Sequence, residues 1–407
     1  MTTNPGPAGA APEDSAAPAG RPRILLVING AADRRVGGYG MRCRVIAEAI
    51  DVVADLFTVE VGCPRPASCA HRRPEDNSLL QSVEIRPPRD RLPVLDPCGG
   101  FYCPVADARL LEHVRRLEPH MTVVSGLELF RYLDSVRDVA GSGLVMDLHN
   151  VESQMWRADT GRSAGSWDVK AEQFAAVERA VLSMADGVWV CSDDDRRLLA
   201  ATHGVDPGQV AVVPNAVPIP EPPVEGAAPQ RVLFPGTLDY LPNVVAAHLI
   251  LDEICPLLAR RASGAQVVIA GARPGVSLMR RPYPHNARLV PDPTDLEPLW
   301  RGSVLLVPLL TGGGSRFKIL EAFARGCPVV STAKGIEGID AVPGVHYLRA
   351  ETAEDQVDAL ATVLDDALSR GRLTAAAHEL VSGRYGTRSV LESIRGVIQS
   401  WVNSSGG

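Results

Sequence analysis

Short apolar runs with strand spacing alternate with helical segments along most of the chain, and this alternation restricts the fold more than any other feature. A first series begins with RILLVIN at Arg23–Asn29 and ends with QVAVVPNAV. A second series begins with RVLFPG at Arg231–Gly236. Apolar strands separated by helices predict parallel sheets that are covered by helices on both faces. The sequence therefore predicts an α/β fold with two Rossmann-like, doubly wound parallel-sheet domains facing a central cleft.

The composition of the connecting segments predicts how the chain is divided. The stretch PIPEPPVEGAAPQ is typical of an interdomain linker because it is rich in proline. We therefore predict a first domain at 22–217, a linker at 218–230 and a second domain at 231–385. A Pro/Ala/Gly-rich disordered tail is predicted at 1–21, and a final helix at 386–407.

Charge and apolar content exclude several classes of protein. A formal net charge of -7 argues against a general nucleic-acid binder. No uninterrupted apolar run approaches the roughly 18–20 residues of a membrane helix, so membrane association is expected to be at most peripheral. The N-terminal tail lacks the cationic start and apolar block of a signal peptide, which favours a cytoplasmic protein. The oligomeric state is not indicated.

Eight cysteines in 407 residues do not make a disulfide scaffold. Half of them lie in a Pro-rich stretch at 62–104, which we interpret as a long loop or insertion. Their spacing fits no familiar zinc pattern, so small buried thiols are the favoured interpretation. These four cysteines are Cys63, Cys69, Cys98 and Cys103.

The segment TGGGSRFKILEAFARGCPVVST, residues 311–332, follows the apolar strand SVLLVPLL. Ligands bind at the carboxyl ends of strands in doubly wound sheets, so this is an expected binding position. Ser315 is predicted to cap a helix from Arg316 to Arg325, whose free N-terminus attracts phosphate. Three consecutive glycines would let the backbone approach a ligand closely. They are Gly312, Gly313 and Gly314.

Two cations and one carboxylate fall in the first turns of that predicted helix. Arg316 and Lys318 are unfavourable to the helix dipole there by roughly a few tenths of a kcal/mol each, and a bound diphosphate would reverse the sign. Glu321 is placed to accept hydrogen bonds from a ribose diol. The alternative is a Gly-rich turn whose charges are merely solvated, and we favour the binding site.

Several motifs in order resemble family 4 of the GT-B glycosyltransferases, the glycosyl transferases group 1. They are GGYG at 37–40, DLHNVES at 147–153, VVPNAV, FPGTLDYLPNVVA, and the glycine segment followed by KGIEGI. The resemblance implies two Rossmann-like domains, with the donor bound mainly by the second and the acceptor mainly by the first. It also implies sugar transfer with retained anomeric configuration and a last helix that crosses back to the first domain.

For the donor, the resemblance implies roles for several residues of the second domain. Glu321 matches the second glutamate of the family's E-x7-E pattern, which holds the ribose, whereas the first glutamate is replaced by Gly313. Gly236 and Thr237 match the loop after the first donor-domain strand. That loop lacks the family's phosphate-binding Arg and Lys, so Arg316 and Lys318 are expected to bind the phosphates instead. The segment VPDPTD lies where the base-binding loop is expected.

For the acceptor side, His149 matches the family's active-site histidine. Glu152, in the same motif as Asn150, would either orient His149 or contact the acceptor, and the sequence leaves both open. Gly37 and Gly38 would turn backbone N–H groups towards the diphosphate or the acceptor. A simple loop is the alternative at these two glycines.

The function we expect is a retaining glycosyltransferase that moves a sugar from a nucleoside diphosphate sugar to the hydroxyl of a small molecule or glycan. A specialised metabolite or a cell-envelope glycan is the expected acceptor. Catalysis is assigned to His149, Arg316 and Lys318, and no cofactor or metal is expected, since SDDD at 192–195 is interpreted as a helix cap. A sugar-nucleotide epimerase and a non-catalytic nucleotide-sugar-binding subunit remain alternatives. A dinucleotide oxidoreductase is excluded because no G-x-G-x-x-G follows RILLVIN.

Overall fold

The computed structural model describes residues 21–29, 38–61, 82–85, 92–95, 101–139, 141, 143–157, 164–220, 231–261, 264–313 and 316–405. Two six-stranded sheets, both entirely parallel, dominate these residues. Each sheet belongs to one of the two predicted strand–helix series. The predicted α/β architecture with two Rossmann-like domains is therefore confirmed.

The first sheet has the strand order β2-β1-β5-β6-β7-β8. A separate antiparallel pair, β3 and β4, lies inside the stretch that we predicted to be a loop. The elements of this half are β1 Arg23–Asn29, α1 Gly38–Val53, β2 Asp55–Val61, β3 Ser82–Ile85, β4 Leu92–Leu95, α2 Pro104–Leu117, β5 Met121–Ser125, α3 Phe130–Arg137, β6 Gly143–Asp147, α4 Glu152–Arg157, α5 Ala164–Met184, β7 Gly187–Val190, α6 Asp193–His203 and β8 Val210–Val212.

The second sheet has the order β11-β10-β9-β12-β13-β14, the doubly wound order in which the chain reverses direction beside its first strand. The elements of this half are β9 Arg231–Pro235, α7 Leu241–Leu249, a π-helical turn Ile250–Ile254, α8 Cys255–Arg261, β10 Gln266–Gly271, α9 Val276–Met279, β11 Ala287–Pro291, α10 Glu297–Trp300, β12 Ser303–Val307, α11 Phe317–Ala324, β13 Val329–Ser331, α12 Ala333–Ile336, β14 Leu348–Arg349, α13 Ala353–Asp365, α14 Ala367–Arg384 and α15 Thr387–Ser405.

Local sequence explains two of these helix boundaries. The Ser192 hydroxyl accepts a hydrogen bond from the Asp195 backbone N–H at 3.1 Å, so the predicted cap of α6 is confirmed. The Thr352 hydroxyl caps α13 in the same way, within a complete capping box. α3 was not predicted, because its eight residues are too short to establish a helical period in the sequence.

The chain passes between the two sheets twice, and the two crossings are hydrogen-bonded to each other. Val217 donates to the Tyr385 carbonyl at 2.9 Å, and Thr387 donates to the Val217 carbonyl at 3.0 Å. Beyond this point α15 packs against α1, and its apolar residues join the core beneath the first sheet. These residues are Val390, Ile394 and Ile398.

One helical segment is long and apolar enough to cross a membrane by length and composition alone. It runs through Leu241–Arg261, and half of its most apolar window is buried inside the protein. Ile250, Leu251 and Ile254 of this segment belong to the hydrophobic core of the second domain. Its apolar character is accounted for by packing against the second sheet.

The strand orders place two crevices at the carboxyl ends of the sheets. In the first sheet the direction of winding reverses between β1 and β5, and in the second it reverses between β9 and β12. Ligands of doubly wound folds bind at these reversal points. The residues after these four strands are therefore the ones that define a candidate site.

Candidate functional site

Arg316 lies at the start of α11 and is buried, and no carboxylate of the described residues forms an ion pair with it. The residue is only 8% exposed, and one terminal nitrogen of its side chain, Nη1, donates to the Gly313 carbonyl. Within the part of the chain that the structure describes, its Nε and Nη2 atoms have no hydrogen-bond partner. Burial lowers the pKa of Arg316, against the opposing effects of Tyr240, Glu337 and Asp195. A guanidinium with two unsatisfied buried donors is a strong recognition group for an anion.

Lys318 lies beside Arg316 and is also poorly solvated. Its Nζ donates to Asn243 Oδ1 at 2.9 Å and lies 4.2 Å from the centre of the Phe234 ring. Burial, followed by the repulsion of Arg316, lowers the pKa of Lys318 to about 7, although Glu321 opposes this shift. The two cations therefore destabilise each other until a negative charge is bound.

Asn243 is a site residue that the sequence analysis missed. It is buried in the first turn of α7, where its side-chain amide donates to the Thr237 carbonyl at 2.9 Å. Its carbonyl oxygen accepts a hydrogen bond from Lys318 Nζ, so Asn243 connects the loop after β9 to the first turn of α11. Its position inside the apolar run LPNVVAAHLI concealed it, and the available signal was a lone amide in the first turn of the helix that follows β9.

The glycine loop favours glycine at two positions, for two different reasons. Gly312 has φ of 109°, a left-handed conformation that disfavours other residues. At Gly313 a Cβ would lie 3.3 Å from Asn150 Oδ1 of the first domain, so space and not φ is limiting. Gly314 and Ser315 lie outside the described residues. The helix starts at Phe317 with Arg316 in the N-cap position, so the predicted start at Arg316 with Ser315 as its cap is wrong.

The other predicted donor residues lie around the same cations. A Cβ on Gly236 would lie 3.1 Å from Lys318 Nζ, which places the loop containing Gly236 and Thr237 next to the lysine. Glu321 is on α11, and its Oε1 lies 3.8 Å from Arg325 Nη1. Burial raises the pKa of Glu321, whereas Arg325 lowers it. The structure thus brings the predicted donor residues that it describes together at the ends of β9 and β12.

The segment predicted as a base-binding loop, Val290–Asp295, contains the last two residues of β11 and continues past its carboxyl end. Asp292 has φ of 43° and Arg273 has φ of 53°, and both are left-handed non-glycine residues. The Arg273 backbone N–H donates to Asp292 Oδ1 at 2.7 Å, and its guanidinium forms an ion pair with Asp239 at 2.6 Å. Such strained conformations are concentrated at functional sites, and this cluster lies at the edge of the crevice of the second sheet.

On the first-domain side, His149 is held by a buried polar network. Its Nε2 lies 3.0 Å from Ser125 Oγ and 3.2 Å from Asp147 Oδ2. The Ser125 hydroxyl donates to Asp147 at 2.7 Å, so the serine oxygen accepts from His149 Nε2–H. This arrangement leaves His149 Nδ1 as the ring nitrogen that can accept a proton.

Asp147 is charged because Arg42 lies against it in the interior. The Asp147 side chain is fully buried and that of Arg42 is 2% exposed, and the two form an ion pair. Burial alone would raise the pKa of Asp147, but the Arg42 guanidinium and the His149 contact lower it. Arg42 also donates to the Val213 carbonyl at 2.8 Å and to Asn215 Oδ1 at 3.1 Å. The network therefore joins α1, β6 and the segment after β8.

Tyr39 packs against one face of the His149 ring. The two ring centres are 5.0 Å apart, and the Tyr39 hydroxyl accepts from the Asn29 N–H at 2.6 Å and donates to the Ser125 carbonyl at 3.0 Å. Burial raises the pKa of Tyr39, so it is a neutral hydrogen-bonding group. Sequence analysis missed Tyr39, Arg42 and Ser125, because they come from separate elements and no spacing relates them.

Asn150 and Glu152 continue the site at the start of α4. Asn150 Nδ2 donates to Glu152 Oε1 at 2.9 Å, and burial, opposed by this bond, raises the pKa of Glu152 to about 7. Asp147 and Ser125 hold His149, so the orienting role that we considered for Glu152 falls to them. The next residue, Ser153, is fixed by the buried Glu178 through its N–H at 3.0 Å and its hydroxyl at 2.6 Å.

Two remaining sequence predictions concern a loop and a metal. Gly37 lies outside the described residues, and Gly38 begins α1 directly against Phe317 of the second domain. Of the four cysteines at 62–104, Cys103 is buried with a free thiol and the other three lie outside the described residues. No three His, Cys, Asp or Glu side chains are grouped as a metal site within the part of the chain that the structure describes.

Comparison with known families assigns both halves of the chain. Residues 229–367 match the family described as "Glycosyl transferases group 1". Residues 37–216 match the family described as "Glycosyl transferase 4-like domain". A search of curated protein sequences gives no match.

Solved structures of similar fold include three with known names. Sucrose-phosphate synthase from Thermosynechococcus elongatus superposes with a TM-score of 0.66 at 16% identity, over 94% of this chain and 100% of that chain. HepE from Anabaena, in complex with UDP, gives 0.64 at 11% identity, over 93% and 100%. TarM gives 0.58 at 13% identity over 73% of this chain, which spans 58% of the length of TarM. At these identities the likeness shows a common fold.

Proposed function

Because the chain belongs to the group 1 glycosyltransferases of GT-B fold, we propose that it transfers a sugar, with retention, from a nucleoside diphosphate sugar to an acceptor hydroxyl. The donor would bind to the second domain, and a small molecule or glycan would be the acceptor at the first. Support for a nucleotide donor comes from HepE, which was solved with UDP and with UDP-glucose.

The observation that carries this proposal is a pair of neighbouring cations, Arg316 buried and Lys318 half-buried, that form no ion pair with a carboxylate among the described residues. Arg316 has two unsatisfied donors, and Lys318 lies beside it with a pKa lowered to about 7 by burial and by Arg316. Both lie at the carboxyl ends of β9 and β12, with Arg316 next to Gly312 and Lys318 next to Gly236. A diphosphate carries the charge and the acceptor oxygens that would satisfy these groups.

The chemical requirement of the reaction is stabilisation of the charge that develops on the departing diphosphate. Fixed cations in a poorly solvated site meet this requirement without reorganisation during the reaction. Arg316 and Lys318 would supply it, and the leaving phosphate oxygen would take the proton of the acceptor hydroxyl. We propose that this front-face route needs no covalent intermediate and no metal.

His149 would act from the opposite wall of the cleft. Its ring is fixed by Asp147 and Ser125 on one edge and by Tyr39 on one face. We propose that it contacts the transferred sugar, and that Asn150 and Glu152 contact the sugar or the acceptor beside it. Precise placement of such groups is needed for efficient transfer.

The proposal is tested by isothermal titration calorimetry with UDP, GDP, ADP and TDP on the wild type, Lys318→Ala and Glu321→Ala. We expect one nucleotide to bind saturably and both variants to bind it more weakly. Lys170→Ala is the matched control, because it removes the same charge from α5 of the first domain, where the ammonium lies 4.0 Å from the Trp156 ring centre. Absence of any nucleotide binding, or equal binding by all variants, would contradict the donor site.

The competing functions are separated by a second measurement with the matching nucleotide sugar. A transferase should release nucleoside diphosphate faster when an acceptor hydroxyl compound is added, and it should give a product of retained configuration. Epimerisation would convert the donor without any acceptor. A binding subunit would bind the donor and leave it unchanged under both conditions.

A further inference from the structure

Phe317, the first residue of α11, contacts the first domain at Gly38. A Cβ built on Gly38 would lie 2.7 Å from Cδ2 and 3.0 Å from Cε2 of the Phe317 ring. Gly38 begins α1, and its φ is not positive, so its backbone would admit any L-residue. The position is limited by space alone. The missing side chain leaves a notch in α1, and the ring of Phe317 fills it.

The surrounding contacts make this notch part of a continuous interface between the domains. Met41, three residues after Gly38, packs together with Phe317 against the core of the second domain. The Tyr240 hydroxyl lies 3.5 Å from Met155 Sδ, and Gly313 lies against Asn150. The second-domain contacts thus come from the loops after β9 and β12 and from the start of α11. These segments also carry or flank Arg316 and Lys318.

We infer that Phe317 is a positioning residue, whose ring fixes the closed arrangement of the two domains when it is seated on Gly38. The inference rests on the proposed function, since it concerns how that site is assembled. Arg316 and Lys318 flank Phe317 in the sequence, so any shift of the ring relative to α1 also shifts the two cations relative to His149. Closure of the cleft and alignment of the leaving-group site are therefore coupled through one side chain.

The size of the effect follows from contact distances. Carbon atoms in contact are separated by about 3.5–4.0 Å, so an alanine methyl at position 38 would displace the ring by about 1 Å. A displacement of about 1 Å in a catalytic arrangement costs about a hundredfold in rate. Binding of the nucleotide to the second domain alone should be much less affected, because its pocket is left intact.

The test compares Gly38→Ala, Phe317→Ala and the double variant. The measurements are UDP binding by calorimetry, kcat for acceptor-dependent release of UDP from UDP-glucose, and small-angle X-ray scattering of the free protein. We expect Gly38→Ala to lower kcat by about a hundredfold, to change the Kd for UDP by less than about threefold and to increase the radius of gyration. In the Phe317→Ala background the same substitution should change kcat by less than about threefold, because the obstructing ring is gone.

Gly396→Ala is the control, since a Cβ at this α15 position meets no atom within 4 Å. It should leave kcat and the scattering profile unchanged. Equal losses of kcat from Gly38→Ala in both backgrounds would overturn the inference, as would an unchanged scattering profile. Failure of the wild type to bind UDP or any other nucleoside diphosphate would instead contradict the proposed function. In that case the scattering of ligand-free Gly38→Ala and Phe317→Ala would still decide whether the ring holds the domains closed.

Discussion

The strongest prediction concerns Lys318, whose proton should be linked to nucleotide binding. Burial and the repulsion of Arg316 lower its pKa to about 7 in the free protein, so it is largely neutral at alkaline pH. A diphosphate would favour the charged form and raise this pKa. Binding above neutral pH should therefore take up a proton on Lys318.

The magnitude follows from the two protonation equilibria. With a pKa of about 7, Lys318 is about half charged at about pH 7 and about 1% charged at about pH 9. If the lysine is charged in the complex throughout, the Kd of the wild type should rise about fiftyfold over this range. Lys318→Met keeps the contact with Phe234 but has no proton to gain, so its Kd should be nearly independent of pH. At about pH 7 the substitution should weaken binding by about tenfold to about a hundredfold, the equivalent of a charge-assisted hydrogen bond.

The assay is calorimetry with the nucleoside diphosphate that binds the wild type, at several pH values above neutrality. Two buffers of different ionisation enthalpy report proton uptake directly, and the terminal phosphate of the ligand is already ionised in this range. Lys170→Met is the control and should retain the wild-type pH dependence. Two results would refute the reasoning: a wild-type Kd that does not change with pH, or a Lys318→Met variant that takes up the same proton.

The other predictions concern stability and the acceptor side. Lys318→Met should stabilise the free protein, and most at low pH. Because the pKa of Lys318 is depressed in the folded state, the cost of a charged Lys318 to the free energy of folding is complete below about pH 7 and is lost as the pH rises towards about 10.4. Urea denaturation at both limits tests this. Asp147→Asn should reduce the free energy of unfolding by about 3–5 kcal/mol, because it leaves Arg42 charged and unpaired in the interior. Asp252→Asn, at an ion pair where that carboxylate is 56% exposed, should cost less than about 1 kcal/mol in the same denaturation experiment, and equal losses would contradict the argument. Burial raises the pKa of Glu152 to about 7. As the pH rises through this value the Glu152 carboxyl group ionises and becomes a better hydrogen-bond acceptor, so the KM for the acceptor should fall. Glu152→Gln should abolish that pH dependence, and a variant that retained it would assign the dependence to another group.

The fold and the grouping of the candidate donor residues could be predicted because their signals are contiguous in the sequence. Each buried strand is a short apolar run, and the Pro-rich stretch marks the point where the second series begins. The glycine segment carries its backbone loop, Arg316, Lys318 and Glu321 within ten residues, so no tertiary information was needed to group them. The start of α11 was placed one residue too early, because a polar residue beside a helix start is equally compatible with the N-cap and the first turn.

The first-domain network could not be predicted because its residues meet only in the folded chain. Arg42 comes from the middle of α1, Ser125 from the end of β5 and Asp147 from the end of β6. An arginine in an amphipathic helix normally indicates the solvated face, and only the parallel strand register brings the other two side chains beside it. The DLHNVES motif pointed to His149, but the groups that fix its ring had no sequence signal of their own.

Gly313, the departure from the E-x7-E pattern, has a spatial explanation that unites the two halves of the site. In the sequence it is a lost glutamate, which leaves the hydroxyls of a donor sugar without a recognised partner. In the structure, Asn150 Oδ1 lies 3.3 Å from the position that a Cβ on Gly313 would occupy, and Asn150 is bonded to Glu152. A side chain at position 313 would require the Asn150 side chain to move by a few tenths of an ångström, so the glycine and the close approach of Asn150 belong together. In the proposed reaction, Asn150 and Glu152 of the first domain would take the place of the missing glutamate beside the donor sugar.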